Sequence, residues 1–169
     1  MYIMVDVESD GPCPGLYSMV SFGAVVCSDK SKTFFGQTAP ISTNYIAEAL
    51  AISNISRQVH ESYPDPKITM SEFANWIKNV CGKERPMFIS DNNGFDWQFI
   101  NYYFHAFCGS NPFGFSSTNL GSLYKGLERN VFVNFKHLRK TKHTHHPVDD
   151  CLGNVEAFEE ISKKIKGLK

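Results

Sequence analysis

The chain has 169 residues, and its 17 basic and 17 acidic side chains give a formal net charge of zero. That length is enough for one domain with a buried core, and we predict a single domain over residues 1–169. Apolar residues make up 42% and charged residues 20%, which argues against intrinsic disorder and against a coiled coil. The apolar runs are too short for a membrane helix and the start lacks a secretory signal, so we expect a cytoplasmic protein without membrane association.

The first part of the chain predicts three β-strands. Apolar and β-branched runs cover residues 2–7, 18–27 and 32–38. The turn-forming residues Asp10–Gly15 separate the first two runs, and a short polar break separates the second from the third. Connections this short predict an antiparallel meander.

Helices alternate with single strands in the rest of the chain. Thr69–Glu72 resembles a capping box, and the apolar positions that follow it have helical spacing up to Gly82. Similar patterns predict helices from residue 42, before residue 63, and over 69–81, 93–107, 119–127 and 147–165, with strands at 86–90 and 114–117. This order of elements predicts a mixed α/β or α+β layer architecture.

Asp6 and Glu8 are the first side chains that point to chemistry. Residues two apart on a strand project from the same face, so the two carboxylates point together. Like charges this close repel one another, and one carboxyl is driven towards its neutral form unless a cation lies between them. Hard divalent cations such as Mg²⁺ and Mn²⁺ prefer such oxygen ligands. An acidic pair on a solvent-facing strand end is the alternative interpretation.

Asp96 and Asp150 each lie in the first turn of a predicted helix. An acidic residue at the position of Asp96 also stabilises the helix dipole, with no further function required. Asp150 lies at the margin of the apolar stripe of the last helix, which directs it towards a cleft beside the core. His145 lies in the loop before this helix, within reach of the same cleft.

The clustered histidines His143, His145 and His146 leave two interpretations open. They form either a polar loop or a site for a soft metal ion. The five cysteines are widely spaced and include no Cys-x-x-Cys pair, so the sequence favours neither zinc binding nor a disulfide framework.

Three motifs, taken in order, resemble those of the DnaQ-like 3′–5′ exonuclease superfamily, in its Asp-Glu-Asp-Asp branch with a histidine. They are Asp-x-Glu followed by a turn at residues 6–11, Asn-x-x-Phe-Asp at 92–96, and His-x-x-x-x-Asp at 145–150. The resemblance spans nearly the whole chain and looks nearest to compact bacterial and phage-type exoribonuclease-like members. It implies an RNase H-like fold of the mixed α/β class, with a central mixed five-stranded sheet flanked by helices. One departure is Asp10, which adds a negative charge where the 3′-terminal nucleotide would lie.

The family's functional residues carry over to matching positions of this sequence. The resemblance implies that Asp6, Glu8, Asp96 and Asp150 hold two divalent cations, Mg²⁺ or Mn²⁺, and that His145 is the general base. The implied reaction is hydrolysis of single-stranded nucleic acid from its 3′ end, with release of nucleoside 5′-monophosphates. Because a general base must be neutral to accept a proton, activity is expected to rise from acid to neutral pH.

Four further side chains are candidate substrate contacts, namely Ser9, Asn92, Phe95 and Lys140. Lys140 belongs to the segment 125–142, which holds six basic residues against one acidic residue. Such a run is usually a solvated face, and only proximity to a site makes it a phosphate contact. RNA is favoured over DNA as the substrate, and the RNA-trimming relatives imply a homodimer.

Three alternative functions stay open at this point. Nothing in the sequence reads the 2′-hydroxyl, so a DNA-specific, proofreading-type 3′–5′ exonuclease is the main alternative. An RNase H-like endonuclease would use a related carboxylate site. A non-catalytic nucleic-acid-binding domain of the same fold is the third, because function does not follow from fold alone.

Overall fold

A central sheet of five strands organises the computed structural model, which describes residues 1–165. The strands are β1 (Tyr2–Ser9), β2 (Met19–Val26), β3 (Asp29–Gln37), β4 (Met87–Ser90) and β5 (Ser117–Asn119). They lie in the order β3–β2–β1–β4–β5, with antiparallel pairing among β1, β2 and β3 and parallel pairing of β1 with β4 and of β4 with β5. The predicted mixed sheet with its antiparallel meander is confirmed. The predicted domain runs to residue 169, so residues 166–169 of it lie outside the described part.

Helices cover both faces of this sheet. They are α1 (Ala47–Ile52), α2 (Arg57–Glu61), α3 (Pro66–Cys81), α4 (Asn93–Cys108), α5 (Leu120–Glu128) and α6 (Pro147–Ser162), with a short 3₁₀ helix at Lys136–Leu138. Alternate residues of β1 face opposite sides, so Val5 and Val7 pack with α3 and α4, whereas Met4 packs with α5 and α6. Asp6 and Glu8 therefore project on the α6 side. Within residues 1–165, none of the helices combines the length and apolar character that crossing a bilayer requires.

The start of α3 differs from the predicted capping box. The helix begins at Pro66, and its N-cap is Asp65, whose side chain accepts the backbone N–H of Lys67. Proline suits a first helical position because its missing N–H would have no partner there. The hydroxyl of Thr69 instead donates to the carbonyl oxygen of Gln37 at 2.7 Å, which ties α3 to β3. The prediction of a capping box at Thr69 was therefore wrong.

Two other boundaries shift because local turns compete with the predicted elements. The helix predicted from residue 42 begins only at Ala47, since the hydroxyl of Ser42 accepts the N–H of Asn44 in a side-chain turn. The small strand predicted at residues 114–117 begins at Ser117. Gly114 lies before it with a φ of +77°, a turn conformation rather than an extended one.

Gly23 of β2 allows α6 to approach the sheet closely. It pairs with Asp6 across the β1–β2 ladder, and a Cβ at this position would lie 2.5 Å from the carbonyl carbon of Pro147. Any side chain here would therefore push the start of α6, and with it Asp150, away from β1.

The Gly23→Ala variant is expected to lose about 1–3 kcal/mol of stability through this overpacking. The matched control is Gly126→Ala in α5, where a Cβ meets no atom within 4 Å. That control is expected to be neutral or slightly more stable, because alanine favours the helix. Urea denaturation of both variants measures the difference, and equal stabilities would contradict the close approach.

Candidate active site

Three carboxylates meet at the end of β1. Asp6 and Glu8 project from one face of the strand, and Asp150 reaches them from the first turn of α6. One oxygen from each of these side chains lies within 4.8 Å of the other two. We refer to Asp6, Glu8 and Asp150 as the acidic cluster.

Asp150 has the most enclosed carboxylate of the acidic cluster. The residue is 2% exposed, and its Oδ1 accepts the backbone N–H of Thr144 at 3.1 Å. Its Oδ2 is buried and finds no hydrogen-bond partner among the described residues. Because a buried acceptor without a partner is unfavourable, this oxygen is suited to a ligand that the protein alone does not supply.

Asp96 lies beside the acidic cluster and not within it. It lies in the first turn of α4, a helix that packs against the opposite face of the sheet, and it is 3% exposed. Its Oδ1 accepts the backbone N–H of Val7 at 3.1 Å, between the two acidic residues of β1. Its oxygens are not members of the acidic cluster, although its negative charge helps to raise the pKa of Asp6. The hydrogen bond holds the end of β1 in place.

The pKa values at this site are those expected of crowded, buried carboxyls. Burial raises the pKa of Asp6 well above its ordinary value, and the charges of Asp96, Glu8 and Asp150 raise it further. Burial and the charge of Asp150 raise the pKa of Glu8 to about 7. Burial raises the pKa of Asp96 to about 8. A divalent cation would favour the ionised forms, so the donor set fits hard cations.

The metal-free protein is expected to lose stability as the pH rises from about 4 to about 8. The folded state holds protons on Glu8 and Asp96 more tightly than the unfolded state, where carboxyls titrate at about 4. Below that pH both states are protonated and there is no penalty; above the raised pKa values the penalty is complete. Thermal unfolding in EDTA should give a melting temperature roughly 2–6 °C lower at pH 8 than at pH 6. A melting temperature that rises from pH 6 to pH 8 would contradict the raised pKa values of Glu8 and Asp96.

His145 stands at the solvent side of the acidic cluster. Its Nδ1 lies 3.8 Å from Oε1 of Glu8, and 45% of its side chain is exposed. Its φ is +58°, a left-handed conformation that is uncommon for a residue with a side chain. Such conformations cluster at functional sites, where the surrounding structure has to hold them.

His143 joins this group, although its sequence position carries no motif. Its Nδ1 approaches Oδ1 of Asp150 to 2.8 Å, and its ring centroid lies 4.2 Å from that of His145. The only sequence signal was the clustering of histidines before α6. His146, the third of them, turns away and stacks on Phe35 at 5.0 Å.

Asp10 does not present its charge to the acidic cluster. It is fully buried, and its carboxylate accepts the backbone N–H of Ser18. Its Oδ2 lies 2.9 Å from Nη1 of Arg57 and 3.5 Å from Nδ1 of His60. Burial raises the pKa of Asp10, while Ser18, His60 and Arg57 lower it. Arg57 of α2 therefore offsets part of the cost of burying this charge.

Replacing Arg57 with Met is expected to destabilise the protein by about 3–5 kcal/mol, because it leaves the buried carboxylate of Asp10 without its partner. The double variant with Asp10→Asn should recover most of this loss, since the uncompensated charge is gone. Urea denaturation at pH 7 gives the free energies of unfolding of wild type, both single variants and the double variant, which together form a double-mutant cycle. Additive effects of the two substitutions would show that the ion pair is unimportant.

The four predicted substrate contacts differ in how exposed their side chains are. Ser9 is buried, and its hydroxyl donates to the carbonyl oxygen of Gly11 at 2.7 Å. Asn92 is exposed at the N-cap of α4, and Phe95 is half-buried against Phe99. The side chain of Lys140 is exposed. Asn92 and Lys140 are therefore the two whose polar atoms face solvent.

Arg139 is a basic residue near the site that the motifs did not single out. Its Nη2 donates to Oδ2 of Asp91 at 2.8 Å, and its guanidinium lies 5.3 Å from the ring centroid of Phe135. Its charge lowers the pKa of Asp6. Since Asp91 directly follows β4, this pair anchors the basic segment at the same sheet edge as the acidic cluster.

Comparison with known proteins shows one curated relative of high similarity. The chain is 41% identical over 129 residues to the 3′–5′ DNA exonuclease Cap18 of Escherichia coli, covering 75% of this chain and 69% of that protein. No family model matches the chain.

Solved structures share the fold at low identity. Exonuclease X in complex with 5′ overhanging duplex DNA aligns with a TM-score of 0.69 at 16% identity, over 100% of this chain and 95% of that one. A full-length 3′-exonuclease aligns with a TM-score of 0.73 at 12% identity, over 96% of this chain and 81% of that one. The zinc-bound complex of Escherichia coli exonuclease I with single-stranded DNA aligns with a TM-score of 0.67 at 17% identity, over 96% of this chain and 40% of that one. The predicted RNase H-like fold is thus confirmed.

Proposed function

Because the chain belongs to the DnaQ-like 3′–5′ exonuclease superfamily, in its Asp-Glu-Asp-Asp branch with a histidine, we propose that it is a metal-dependent 3′–5′ exonuclease acting on single-stranded nucleic acid. The observation that carries this proposal is the convergence of Asp6, Glu8 and Asp150 at the end of β1. These residues come from distant parts of the chain, and their meeting requires the whole fold.

The acidic cluster is suited to two divalent cations. Asp6, Glu8 and Asp150 would hold them, with Asp96 contributing its charge from the start of α4. The unpartnered Oδ2 of Asp150 and the raised pKa values support this assignment. When bound, the cations supply positive charge that stabilises the attacking and leaving oxygens of the phosphodiester.

His145 is assigned as the general base. A general base must reach the proton that it removes, and the exposed ring of His145 stands where water and a strand end can approach the acidic cluster. The left-handed backbone at His145 holds the ring at this position. Its imidazole takes one proton of the attacking water, whose oxygen bonds to phosphorus as the bond from phosphorus to the 3′-oxygen breaks. The products are a nucleoside 5′-monophosphate and a shortened strand whose 3′-oxygen takes up a proton to become a hydroxyl.

We propose single-stranded DNA as the favoured substrate. The sequence resemblance implied RNA, but the relative with 41% identity is named a DNA exonuclease. The preference for RNA therefore has no support from the comparisons. Asn92, Phe95 and Lys140 stay the proposed contacts to the strand, whereas the hydroxyl of Ser9 is already bonded within its turn. Homodimerisation and a single domain over the full chain stay predictions.

Digestion of end-labelled oligonucleotides tests this function. Matched single-stranded DNA and RNA, with free or blocked 3′ ends, are incubated with Mg²⁺, with Mn²⁺ or with EDTA. We expect stepwise release of 5′-mononucleotides from free 3′ ends, only with a divalent cation, and faster from DNA than from RNA. Internal cleavage of 3′-blocked strands would indicate an endonuclease. Binding without cleavage under every metal condition would indicate a non-catalytic domain.

A further inference from the structure

A second group of metal-ligating atoms overlaps the acidic cluster. His143, His145 and Asp150 each offer one ligand atom, and these atoms lie within 4.8 Å of one another. We refer to these three residues as the histidine cluster. It shares Asp150 with the acidic cluster, but two of its three ligands are nitrogen atoms.

The environment of Asp150 supplies a second observation that points to a ligand. Its side chain is 1% exposed, and its Oδ2 has no hydrogen-bond partner among residues 1–165. The two histidine rings lie on the solvent side, each about half exposed. A buried carboxylate below two accessible imidazoles leaves a further coordination position open to water.

The loop that carries the histidines is anchored on both sides. The backbone N–H groups of Lys140 and Thr141 donate to Oε2 of Glu156 at 2.7 and 2.8 Å. The N–H of Thr144 donates to Oδ1 of Asp150 at 3.1 Å. The rings are therefore presented from a loop fixed to α6, and binding an ion requires little ordering of the chain.

The donor set of the histidine cluster favours a transition metal over Mg²⁺. Imidazole suits zinc and its neighbours, whereas Mg²⁺ prefers oxygen ligands alone. Zinc sites with an open position commonly use three protein ligands of the histidine and carboxylate type, so the lack of nearby cysteines is no obstacle. Tetrahedral zinc places its ligand atoms about 3.4 Å apart. The 2.8 Å approach of His143 to Asp150 needs only a small rotation of an exposed ring to reach that spacing.

We propose that the histidine cluster binds Zn²⁺ and that this binding inhibits the enzyme. The inhibitory half rests on the proposed function, because the bound ion would occupy His145, the assigned base, and Asp150, a ligand of the acidic cluster. The binding half depends only on the three side chains. Excess Zn²⁺ would thus switch the nuclease off even when Mg²⁺ is abundant.

Cobalt(II) is the direct probe of binding, because tetrahedral Co²⁺ absorbs visible light and Zn²⁺ displaces it. We expect wild type to bind one Co²⁺ with this absorption and to lose it on addition of Zn²⁺. His143→Gln should bind at least roughly 10–100-fold more weakly, since it lacks a ligand. His146→Gln is the matched control: a neighbouring histidine of equal exposure whose ring stacks on Phe35 instead. Equal Co²⁺ affinity of all three proteins, or no tetrahedral absorption in wild type, would overturn the site.

Inhibition is measured separately on labelled single-stranded DNA with Mg²⁺ in excess, each protein normalised to its own rate without Zn²⁺. We expect His143→Gln to need at least tenfold more Zn²⁺ for half-inhibition than wild type or His146→Gln. Co²⁺ binding at the histidine cluster without any difference in inhibition would overturn the inhibitory half. Absence of nuclease activity under every condition would sink the proposed function and leave the Co²⁺ result to decide the site. Thermal unfolding checks that the variants are folded.

Discussion

Replacing Asp6 with Asn is expected to lower nucleotide release by about 10³-fold or more, because residues that act as a catalytic unit lose most activity when one is removed. Asp6 stands at the centre of the site, because one of its oxygens lies within 4.8 Å of those of Glu8 and Asp150. The charge of Asp96 also helps to raise the pKa of Asp6. An amide there keeps the shape but loses the charge that holds a cation. The measurement is the rate of mononucleotide release from single-stranded DNA with saturating Mg²⁺.

The same substitution should make the metal-free protein more stable. Burial and three neighbouring carboxylates raise the pKa of Asp6, so its ionised form is unfavourable in the folded state at neutral pH. Removing that charge should raise the melting temperature in EDTA by roughly 2–6 °C. Loss of activity with gain of stability is typical of a residue kept for function.

Asp149→Asn is the matched control for this prediction. Asp149 also lies in the first turn of α6, but its side chain is 45% exposed and it is not part of the acidic cluster. We expect near-normal activity and an unchanged melting temperature. Full activity of Asp6→Asn, or equal losses in both variants, would contradict the catalytic assignment.

Replacing His145 with Ala is expected to lower the rate by about 10²–10⁴-fold, the usual contribution of general acid–base catalysis. Cation binding to the acidic cluster should persist, because all three oxygens of the cluster come from carboxylates and none from His145. Calorimetric titration with Mn²⁺ therefore separates loss of the base from loss of the metal. His146→Ala, whose ring stacks on Phe35, is the control and should retain activity.

The pH profile distinguishes the base from a residue that only shapes the site. Wild type should gain activity from acid to neutral pH, because a general base must be neutral, whereas the residual activity of His145→Ala should rise less. A flat wild-type profile, or a variant that keeps the full wild-type rise, would show that another group accepts the proton.

Local spacing predicts those parts of the site that neighbouring residues decide. The two-residue repeat of a strand places Asp6 and Glu8 on one face, and helical periodicity places Asp150 at the margin of an apolar stripe. The structure brings these three side chains together. The order of strands and helices likewise follows from alternation and turn signals, which are local.

Contacts between distant residues decide the rest. Asp10 looks like an unwanted charge in the sequence, yet Arg57, 47 residues away, pairs with it in the interior. Asp96 bonds to the N–H of Val7 across 89 residues, which places it beside the acidic cluster. His143 joins the site because the loop before α6 folds back on Asp150. No spacing rule reports such contacts, since they depend on how α2, α4 and α6 pack against the sheet.

A crystal structure of the protein with bound Mn²⁺ is the decisive test of the acidic cluster as a metal site, because the anomalous signal locates each ion. We expect anomalous density bounded by the carboxylates of Asp6, Glu8 and Asp150 at the end of β1. Manganese bound elsewhere, with Asp150 turned from β1 and no density between these side chains, would contradict it.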